Sequence, residues 1–432
     1  MAALLLGLGT SACAQTKDKS PDTEDSPVIL VRSGWQTSNI GDIAHTPGLL
    51  ALLETHAPDA EIVLWGKDLG IGVKETLQRQ FPRVSFVDGD VNPDGTFTTD
   101  ALSQAFDEAD LLLHGSAPAI HLNPGFQLWW KESGKPFGYY GVTLDHDTLF
   151  AQISERGPIE PETVEFLSDA AFVFFREADS LEAAQKAGIK AEIMEFAPDA
   201  TFAATQQDEE KAHAWMEAHE LEPDAYICII ARTRFAPYYR IRNREPNEID
   251  RRKDAFNARY LEADMRSIRE IIVRWVRETG LKVALVPEMV FEMDLHREWV
   301  FDRLPEDVKP YVAWREDYWL PDEAAALYEN AVALVSMECH SPILASAVGT
   351  PAIYLTSSTE TYKKQMWNDI GLSDWMFDID EASSDDIVQT LFEMHRDPTQ
   401  AQQKLAEAMK IVEERQRKSM AIVHEAAFGT EQ

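Results

Sequence analysis

The fold is decided by the stretch VALVSMECHSPILASAVGTPAIYL, from Val332 to Leu355. Its pattern predicts a short buried strand, a turn, a short apolar helix and a second strand. Ser341 before Pro342 favours a helix start, and Gly349 suits the left-handed residue that ends a helix. Ligands of open parallel sheets bind beyond the carboxyl ends of the strands. Residues 338–340, which follow the first strand, are therefore predicted to face a ligand cleft.

Apolar runs alternate with helical segments along most of the chain, first from Val28 to Gly188 and again from Tyr226 onwards. This alternation is typical of parallel βαβ units. The 432 residues, of which 45% are hydrophobic, suffice for two domains with substantial cores. We predict an α/β fold of two Rossmann-like, doubly wound lobes, at residues 28–205 and 222–397, that face each other across a cleft. A C-terminal helix and tail are predicted at residues 398–432.

The composition is strongly acidic, with 74 Asp and Glu residues against 40 Lys and Arg residues and a formal net charge of −34. A surface of this charge repels phosphate backbones, which argues against nucleic acid as the main partner. Only three cysteines are present, so the chain has no disulfide framework.

The first 14 residues are predicted to be a secretory signal peptide, because a short apolar run is followed by small residues as at a cleavage site. Cys13 also suits lipidation of a bacterial lipoprotein, which would be the protein's link to a membrane. Residues 15–27 are polar and charged, as expected for a disordered linker. We therefore expect an exported protein of the periplasm or cell envelope. A frayed cytosolic N-terminus is the alternative.

The loop after the first predicted strand reads GWQTSNIGDIAHTPG, from Gly34 to Gly48, and the first helix is predicted to begin at Pro47. Gly- and Asn-rich loops between a strand and a helix allow the backbone to approach an anion. Asn39, Gly41 and Asp42 are therefore candidates for substrate binding. The alternative is that they only stabilise a tight turn.

Two further candidates follow predicted strands, and both are expected to bind substrate. Gly115 comes shortly after the strand at 109–113, and Arg176 directly after the strand at 171–175. No metal site is predicted. The sequence Asp145-His146-Asp147 has suitable side chains, but adjacent residues on an extended chain point to opposite faces.

A basic run follows the predicted strand that ends at Ile230, and it reads RTRFAPYYRIRNREPNEIDRRK from Arg232 to Lys253. Eight Arg and Lys residues stand there against three carboxylates, a local reversal in an acidic chain. Guanidinium groups bind phosphate and carboxylate by two-point hydrogen bonding. Arg232 and Arg234 are therefore predicted to bind an anionic ligand. The alternative is a solvated loop paired with the protein's own carboxylates.

His340 is the candidate for proton transfer, because imidazole titrates near neutral pH and the residue lies between a strand and a helix. A structural histidine is the alternative. Neighbouring Cys339 is expected to be a buried small residue rather than a nucleophile, since no orienting partner can be recognised.

Together these motifs resemble the polysaccharide pyruvyl transferase family. The segments that carry the resemblance are, in chain order, Asn39 to Asp42, Arg176 to Ser180, Pro198-Asp199, Arg232, Glu338 to His340 and Gly349 to Pro351. The resemblance implies two lobes similar to those of the B-type glycosyltransferases. It also implies transfer of pyruvate from phosphoenolpyruvate to hydroxyls of an exopolysaccharide or other glycan as a ketal. The partners would be a glycan acceptor and a small anionic donor, with phosphoenolpyruvate as co-substrate and no cofactor.

The resemblance assigns roles to the candidate residues. His340 would be the general acid, Asp42 or Glu338 the base, and Arg232 with Arg234 the donor-binding cations. One position departs from the family, which has an arginine where this chain has Glu338. A carboxylate there repels phosphate, so other arginines must supply the charge or the donor is a different molecule. The alternatives are a nucleotide-sugar glycosyltransferase of the same shape and a non-catalytic glycan- or anion-binding envelope protein.

Overall fold

The computed structural model describes residues 26–120 and 122–429. The predicted signal peptide, Cys13 and nearly all of the predicted linker lie outside these residues. Within them, no helix combines the length and the apolar character needed to cross a bilayer.

The first half of the chain alternates strands with helices. The strands are β1 (Val28–Ser33), β2 (Glu61–Gly66), β3 (Ser85–Val87), β4 (Leu111–His114), β5 (Phe137–Val142), β6 (Phe172–Phe175) and β7 (Ile193–Phe196). The helices are α1 (Ile40–His56), α2 (Val73–Gln80), α3 (Asp100–Glu108), α4 (Pro124–Leu128), α5 (Leu149–Ile153), α6 (Pro161–Ser168), α7 (Ala178–Ala187) and α8 (Glu209–Ala218).

The second half repeats the alternation. Its strands are β8 (Tyr226–Ile230), β9 (Lys282–Leu285), β10 (Val312–Trp314), β11 (Ala333–Ser336), β12 (Ala352–Thr356) and β13 (Met376–Asp378). Its helices are α9 (Tyr238–Ile241), α10 (Glu248–Thr279), α11 (Glu292–Leu295), α12 (Pro321–Glu329), α13 (His340–Ala347), α14 (Gln365–Asp369), α15 (Ser384–Arg396) and α16 (Pro398–Phe428).

The strands of the described chain form two parallel sheets. The first has the order β3-β2-β1-β4-β5-β6-β7 and the second the order β10-β9-β8-β11-β12-β13. In each sheet the order reverses beside the first strand, so the switch points lie between β1 and β4 and between β8 and β11. Two doubly wound α/β lobes are therefore confirmed, and each presents a crevice at the carboxyl ends of its central strands.

Helix α1 corrects the prediction for the first loop, because it begins at Ile40 rather than at Pro47. The side chain of Asn39 accepts hydrogen bonds from the amides of Gly41, at 2.6 Å, and Asp42, at 3.2 Å, and so caps the helix. Pro47 lies inside the helix and removes one backbone hydrogen bond. Burial of nearly the whole helix between the two lobes offsets that loss.

Helix α10 begins at Glu248, inside the basic run. Asn247 and Asp250 form a reciprocal capping box at its start. The last three basic residues of the run, at 251–253, are consequently helical rather than part of a loop.

Helix α16 connects the two cores. Its first half contributes Leu405 and Val412 to the apolar cluster around the second sheet. Its last turns contribute Met420 and Val423 to the cluster around the first sheet. A helix buried against both lobes limits how far the lobes can separate.

Candidate active site

A cavity of about 670 Å³ lies where the carboxyl ends of the two sheets meet. Trp35 and His114 contribute to it from the switch point of the first sheet, and Arg232 and Glu338 from that of the second. This is the position at which open parallel sheets bind ligands. A groove of about 820 Å³ between α15 and α16 lies away from the strand ends.

His340 is the first residue of α13 and lies in the wall of this cavity, with 5% of its surface exposed. Its Nδ1 lies 3.4 Å from Oε1 of Glu288, and its Nε2 lies 3.1 Å from Nε2 of His45. The second oxygen of Glu288 accepts from the amide of Ser341 at 2.7 Å and from its hydroxyl at 2.8 Å. Glu288 therefore caps α13 and orients the ring of His340 at once.

This arrangement favours a charged imidazole. Burial lowers the pKa of His340, but the sulfur of Cys339 and the carboxylate of Glu288 outweigh burial and hold this pKa well above its usual value. Burial conversely raises the pKa of Glu288, while His340 and Ser341 lower it, with a net decrease. Both shifts point to a buried imidazolium–carboxylate pair in the wall of the cavity.

A buried hydrogen-bonded network lies behind His340. Asp199 accepts from Nη1 of Arg176 at 2.7 Å, and the same Nη1 lies 3.4 Å from Nε2 of His340. Nε2 of His45 lies 3.4 Å from Asp199. Burial alone would raise the pKa of Asp199, but His45 and Arg176 hold it well below its usual range. The network holds the Nε2 side of the imidazole ring, whereas Glu288 holds the Nδ1 side.

Three of these side chains, His45, Asp199 and His340, are of types that bind metals, and their nearest ligand atoms lie within 4.8 Å of one another. Imidazole and carboxylate ligands suit zinc and iron. However, the guanidinium of Arg176 already contacts Asp199 and approaches His340. Its permanent positive charge already neutralises Asp199, as a metal cation would, and it repels a second cation. We therefore interpret the trio as part of the hydrogen-bonded network.

Gly41 lies directly against the ring of His340. A Cβ at this position would lie 2.4 Å from the Cβ, Cγ and Nδ1 atoms of His340. Because glycine has no side chain, α1 can pack closely against the imidazole. This close packing explains the glycine at position 41 better than contact with substrate does.

Replacing Gly41 with alanine is expected to destabilise the protein by about 1–3 kcal/mol, the usual cost of overpacking, and to displace the ring of His340. In an ordinary helix the same change stabilises by roughly 0.5–1 kcal/mol, so the sign of the effect is diagnostic. Denaturant unfolding measures it, with Gly157→Ala as control, because nothing lies within 4 Å of a Cβ there. A Gly41→Ala variant as stable as the wild type would contradict the close packing.

Asn39 and Asp42 both line the cavity, but their side chains differ in availability. The oxygen of Asn39 is occupied by the cap of α1. Asp42 accepts a short hydrogen bond from Gln36, whose amide also reaches Tyr238. Asp42 therefore remains the better candidate for accepting a proton from a ligand hydroxyl.

Arg232 and Glu338 form an ion pair in the cavity wall, with Nη1 and Oε2 2.7 Å apart. Burial raises the pKa of Glu338 to about 7, although Arg232 opposes the increase. The other oxygen of Glu338 is buried without a hydrogen-bond partner. An anion can therefore reach Arg232 most easily when Glu338 is protonated.

Arg234 also lines the cavity, but its guanidinium is held by the protein itself. It donates to both oxygens of Asp264, each at 2.8 Å, and to both oxygens of Asp380. Its Cζ stacks 3.8 Å from the ring centroid of Tyr260. Two carboxylates thus neutralise the charge that was expected to bind a ligand.

Gly115 and Arg176 are not in the cavity wall. Gly115 packs against Ser33, whose Oγ would lie 2.9 Å from an added Cβ. Arg176 is fully buried and paired with Asp199. Both positions support the site from behind the strand ends.

The sequence reasoning missed His45 and most of the basic residues of the cavity. Among the described residues, the lining contains more Arg and Lys side chains than carboxylates. The basic ones are Arg32, Lys67, Arg156, Arg232, Arg234, Arg242 and Lys363; the acidic ones are Asp42, Asp90, Glu338 and Glu360. In a chain of net charge −34 this local excess favours an anionic ligand. Placing the start of α1 at Ile40 would have put His45 one turn from Asp42 and so near the cleft.

The fold and the cavity define a two-lobed α/β protein with a cavity between two doubly wound sheets. Residues 39–359, most of the chain, match the model of the family described as polysaccharide pyruvyl transferase. The chain belongs to the polysaccharide pyruvyl transferase family.

Solved structures of the same fold are similar over nearly their full length. One is a UDP-GlcNAc 2-epimerase from Neisseria meningitidis bound to UDP-GlcNAc, with 10% identity, a TM-score of 0.55, and 92% of this chain and 99% of that chain covered. Another is the S. aureus MnaA–UDP co-structure, with 11% identity, a TM-score of 0.55, and 88% and 91% covered. Anabaena Alr3699/HepE in complex with UDP-glucose has 11% identity, a TM-score of 0.53, and 91% and 98% covered. The comparison with curated proteins gave no significant match.

Proposed function

We propose that this protein transfers pyruvate from phosphoenolpyruvate to two hydroxyls of a glycan acceptor, forming a ketal and releasing phosphate. Membership of the family supports a glycan-modifying transferase. The observation that carries the finer proposal is the imidazole of His340, held against Glu288 at 3.4 Å in the wall of a basic cavity. A charged acid beside an anion-binding space is what protonation of an enol phosphate requires.

The proposed reaction begins with proton transfer from His340 to the methylene carbon of phosphoenolpyruvate. The carbon that bears the phosphate becomes electrophilic, and a glycan hydroxyl adds to it and loses its proton. Phosphate then leaves with the C–O bonding pair, and a second hydroxyl adds at the same carbon. One proton ends on the new methyl group, and the proton of the second hydroxyl balances the departing phosphate.

Two carboxylates of the cavity wall are the proposed bases for the acceptor hydroxyls. Asp42 faces the cavity from the first turn of α1, and Glu338 faces it from the end of β11. Because the pKa of Glu338 is about 7, this carboxyl exchanges its proton near neutral pH. Such a group can act as a base in one half of the reaction and return the proton in the other.

Arg232 is the proposed contact for the donor carboxylate or phosphate. The donor would replace Glu338 as the partner of the guanidinium, so binding is coupled to protonation of Glu338. Lys363 also lies in the cavity wall, 3.6 Å from Glu360, and adds positive charge. Here one arginine, rather than two, is proposed to hold the donor. We expect the donor to bind more tightly below the pKa of Glu338, because the protonated carboxyl no longer competes for Arg232.

A second candidate is a transferase that uses a nucleotide sugar. The fold similarity to proteins with bound UDP, UDP-glucose or UDP-GlcNAc favours it. At 10–11% identity this similarity concerns the fold alone, so the two candidates must be separated by experiment.

Incubation of the full chain with phosphoenolpyruvate and a panel of oligosaccharides is the test. We expect phosphate release only when a suitable acceptor is present, with one ketal formed for each phosphate released. Phosphate is measured by colorimetry and the product by mass spectrometry. Consumption of a UDP-sugar with phosphoenolpyruvate left intact would instead establish the second candidate.

A further inference from the structure

Three cations beside the cavity form no ion pair within 4 Å with any carboxylate of the described residues, although Asp145 and Asp250 act on two of them from farther away. They are Arg156, Arg242 and Lys253, here called the basic patch. Neighbouring residues show that partners are easy to find in so acidic a protein, because Glu155 and Arg252 form an ion pair of 2.8 Å immediately beside the patch. The patch differs from these neighbours in that none of its three cations has a carboxylate in direct contact.

The patch is embedded among aromatic rings. The guanidinium carbon of Arg156 lies 5.0 Å from the ring centroid of Phe150, and Nζ of Lys253 lies 5.3 Å from the same ring. Phe150 in turn stacks on Phe235 at 5.4 Å. Arg242 lies 5.1 Å from the ring centroid of Tyr238. Rings stabilise cations weakly and exclude water, so they do not replace an anion.

Burial disfavours the charged forms of two of these cations, Arg156 and Lys253. Burial lowers the pKa of Arg156, and burial together with the charge of Arg156 lowers the pKa of Lys253. Nη1 of Arg156 is buried without any hydrogen-bond partner. A buried donor of this kind costs free energy unless a ligand satisfies it.

The patch also joins the two lobes. Arg156 follows α5 of the first lobe, whereas Arg242 ends α9 and Lys253 lies in α10 of the second lobe. Arg156 and Arg242 both line the cavity that holds His340. An anion held between them would contact both lobes at once.

We propose that the basic patch is a binding site for a phosphate group of the substrate. Two guanidinium groups and an ammonium supply the positive charge and the several donors that the oxygens of a phosphate accept. The phosphate comes either from the donor or from a diphosphate that carries the acceptor sugar. The site does not depend on pyruvyl transfer, since its ligand is defined by charge and geometry alone.

Calorimetric titration of the full chain with inorganic phosphate tests the site. Arg156→Gln and Arg242→Gln are each expected to weaken phosphate binding by about 10-fold or more, the usual worth of a charge-assisted hydrogen bond. Arg252→Gln is the matched control, because it removes an adjacent arginine that already has a partner, and it should bind phosphate like the wild type. Without ligand, Arg156→Gln should melt no lower than the wild type, because it removes a buried guanidinium nitrogen that has no hydrogen-bond partner.

Two further ligands identify the source of the phosphate. If Arg156→Gln weakens phosphoenolpyruvate but not UDP-N-acetylglucosamine, the patch holds the donor phosphate; the reverse result assigns it to a diphosphate on the sugar. Equal phosphate affinity in the wild type, Arg156→Gln and Arg242→Gln, or no binding to the wild type, overturns the proposal. His340→Gln should retain phosphate binding even without turnover, so failure of the site and failure of the proposed reaction can be told apart.

Discussion

Replacing His340 with glutamine is expected to lower the rate of pyruvyl transfer by about 10²–10⁴-fold, the usual contribution of a general acid. Glutamine is similar in length, and its amide can still donate to Glu288, which lies 3.4 Å from the imidazole. It cannot, however, deliver a proton to carbon. The loss should therefore appear in kcat, with little change in the KM for phosphoenolpyruvate.

The matched control for this change is His213→Gln on the exposed face of α8, which should retain full activity. Steady-state kinetics with phosphate release as readout make the comparison. A His340→Gln variant with the wild-type kcat would exclude proton transfer by His340. A rise in KM without a change in kcat would show that the residue only binds the donor.

Replacing Arg176 with alanine is expected to destabilise the protein by about 3–5 kcal/mol, because it removes the guanidinium that two buried carboxylates face. Arg176 is fully buried, and its Nη1 donates to Asp199 at 2.7 Å. Its Nε lies 3.7 Å from Glu177, which is also fully buried. Burial raises the pKa of Glu177 to about 7 even with the arginine present, so removal of the arginine should leave this carboxyl protonated at neutral pH.

Denaturant unfolding followed by circular dichroism measures this loss. Arg277→Ala is the control, since it removes a guanidinium from an exposed pair with Asp307, and it should leave stability unchanged. A conservative Asp199→Asn variant should also be destabilised, because the amide cannot balance the charge of Arg176. Unfolding of Arg176→Ala at the wild-type denaturant concentration would show that the network is not needed for the fold.

The architecture could be predicted because both lobes repeat a simple pattern. Buried central strands such as β8 and β11 are continuous apolar runs, and these fix the parallel sheets. The edge strands β7, β10 and β13 were missed. All three are short, and β7 and β13 are only partly buried, so their sequences carry little signal.

The start of α1 could not be recognised because two local signals compete. Pro47 is typical of the first turn of a helix, and this favoured a later start. The cap by Asn39 and the burial of the helix between two lobes override that preference. Burial between lobes is a tertiary effect that no window of sequence contains.

The candidate site was predictable where strand ends bring residues together. Asp42, Arg232, Glu338 and His340 all line one cavity because each follows or adjoins the carboxyl end of a central strand. Pairing between distant segments was not predictable. Arg234 lies close to Asp380 only in the folded chain, and this pairing changes its role from a free cation to a structural one.

The account rests on the claim that the cleft protonates an enol phosphate and passes the resulting pyruvyl group to a sugar. NMR of the product formed in D2O from phosphoenolpyruvate and an accepted glycan tests this claim most directly. We predict a ketal whose methyl group carries one deuterium in the wild-type product, and no ketal from His340→Gln. A product that retains no pyruvyl group, or phosphoenolpyruvate left unconsumed with every acceptor tried, would contradict it.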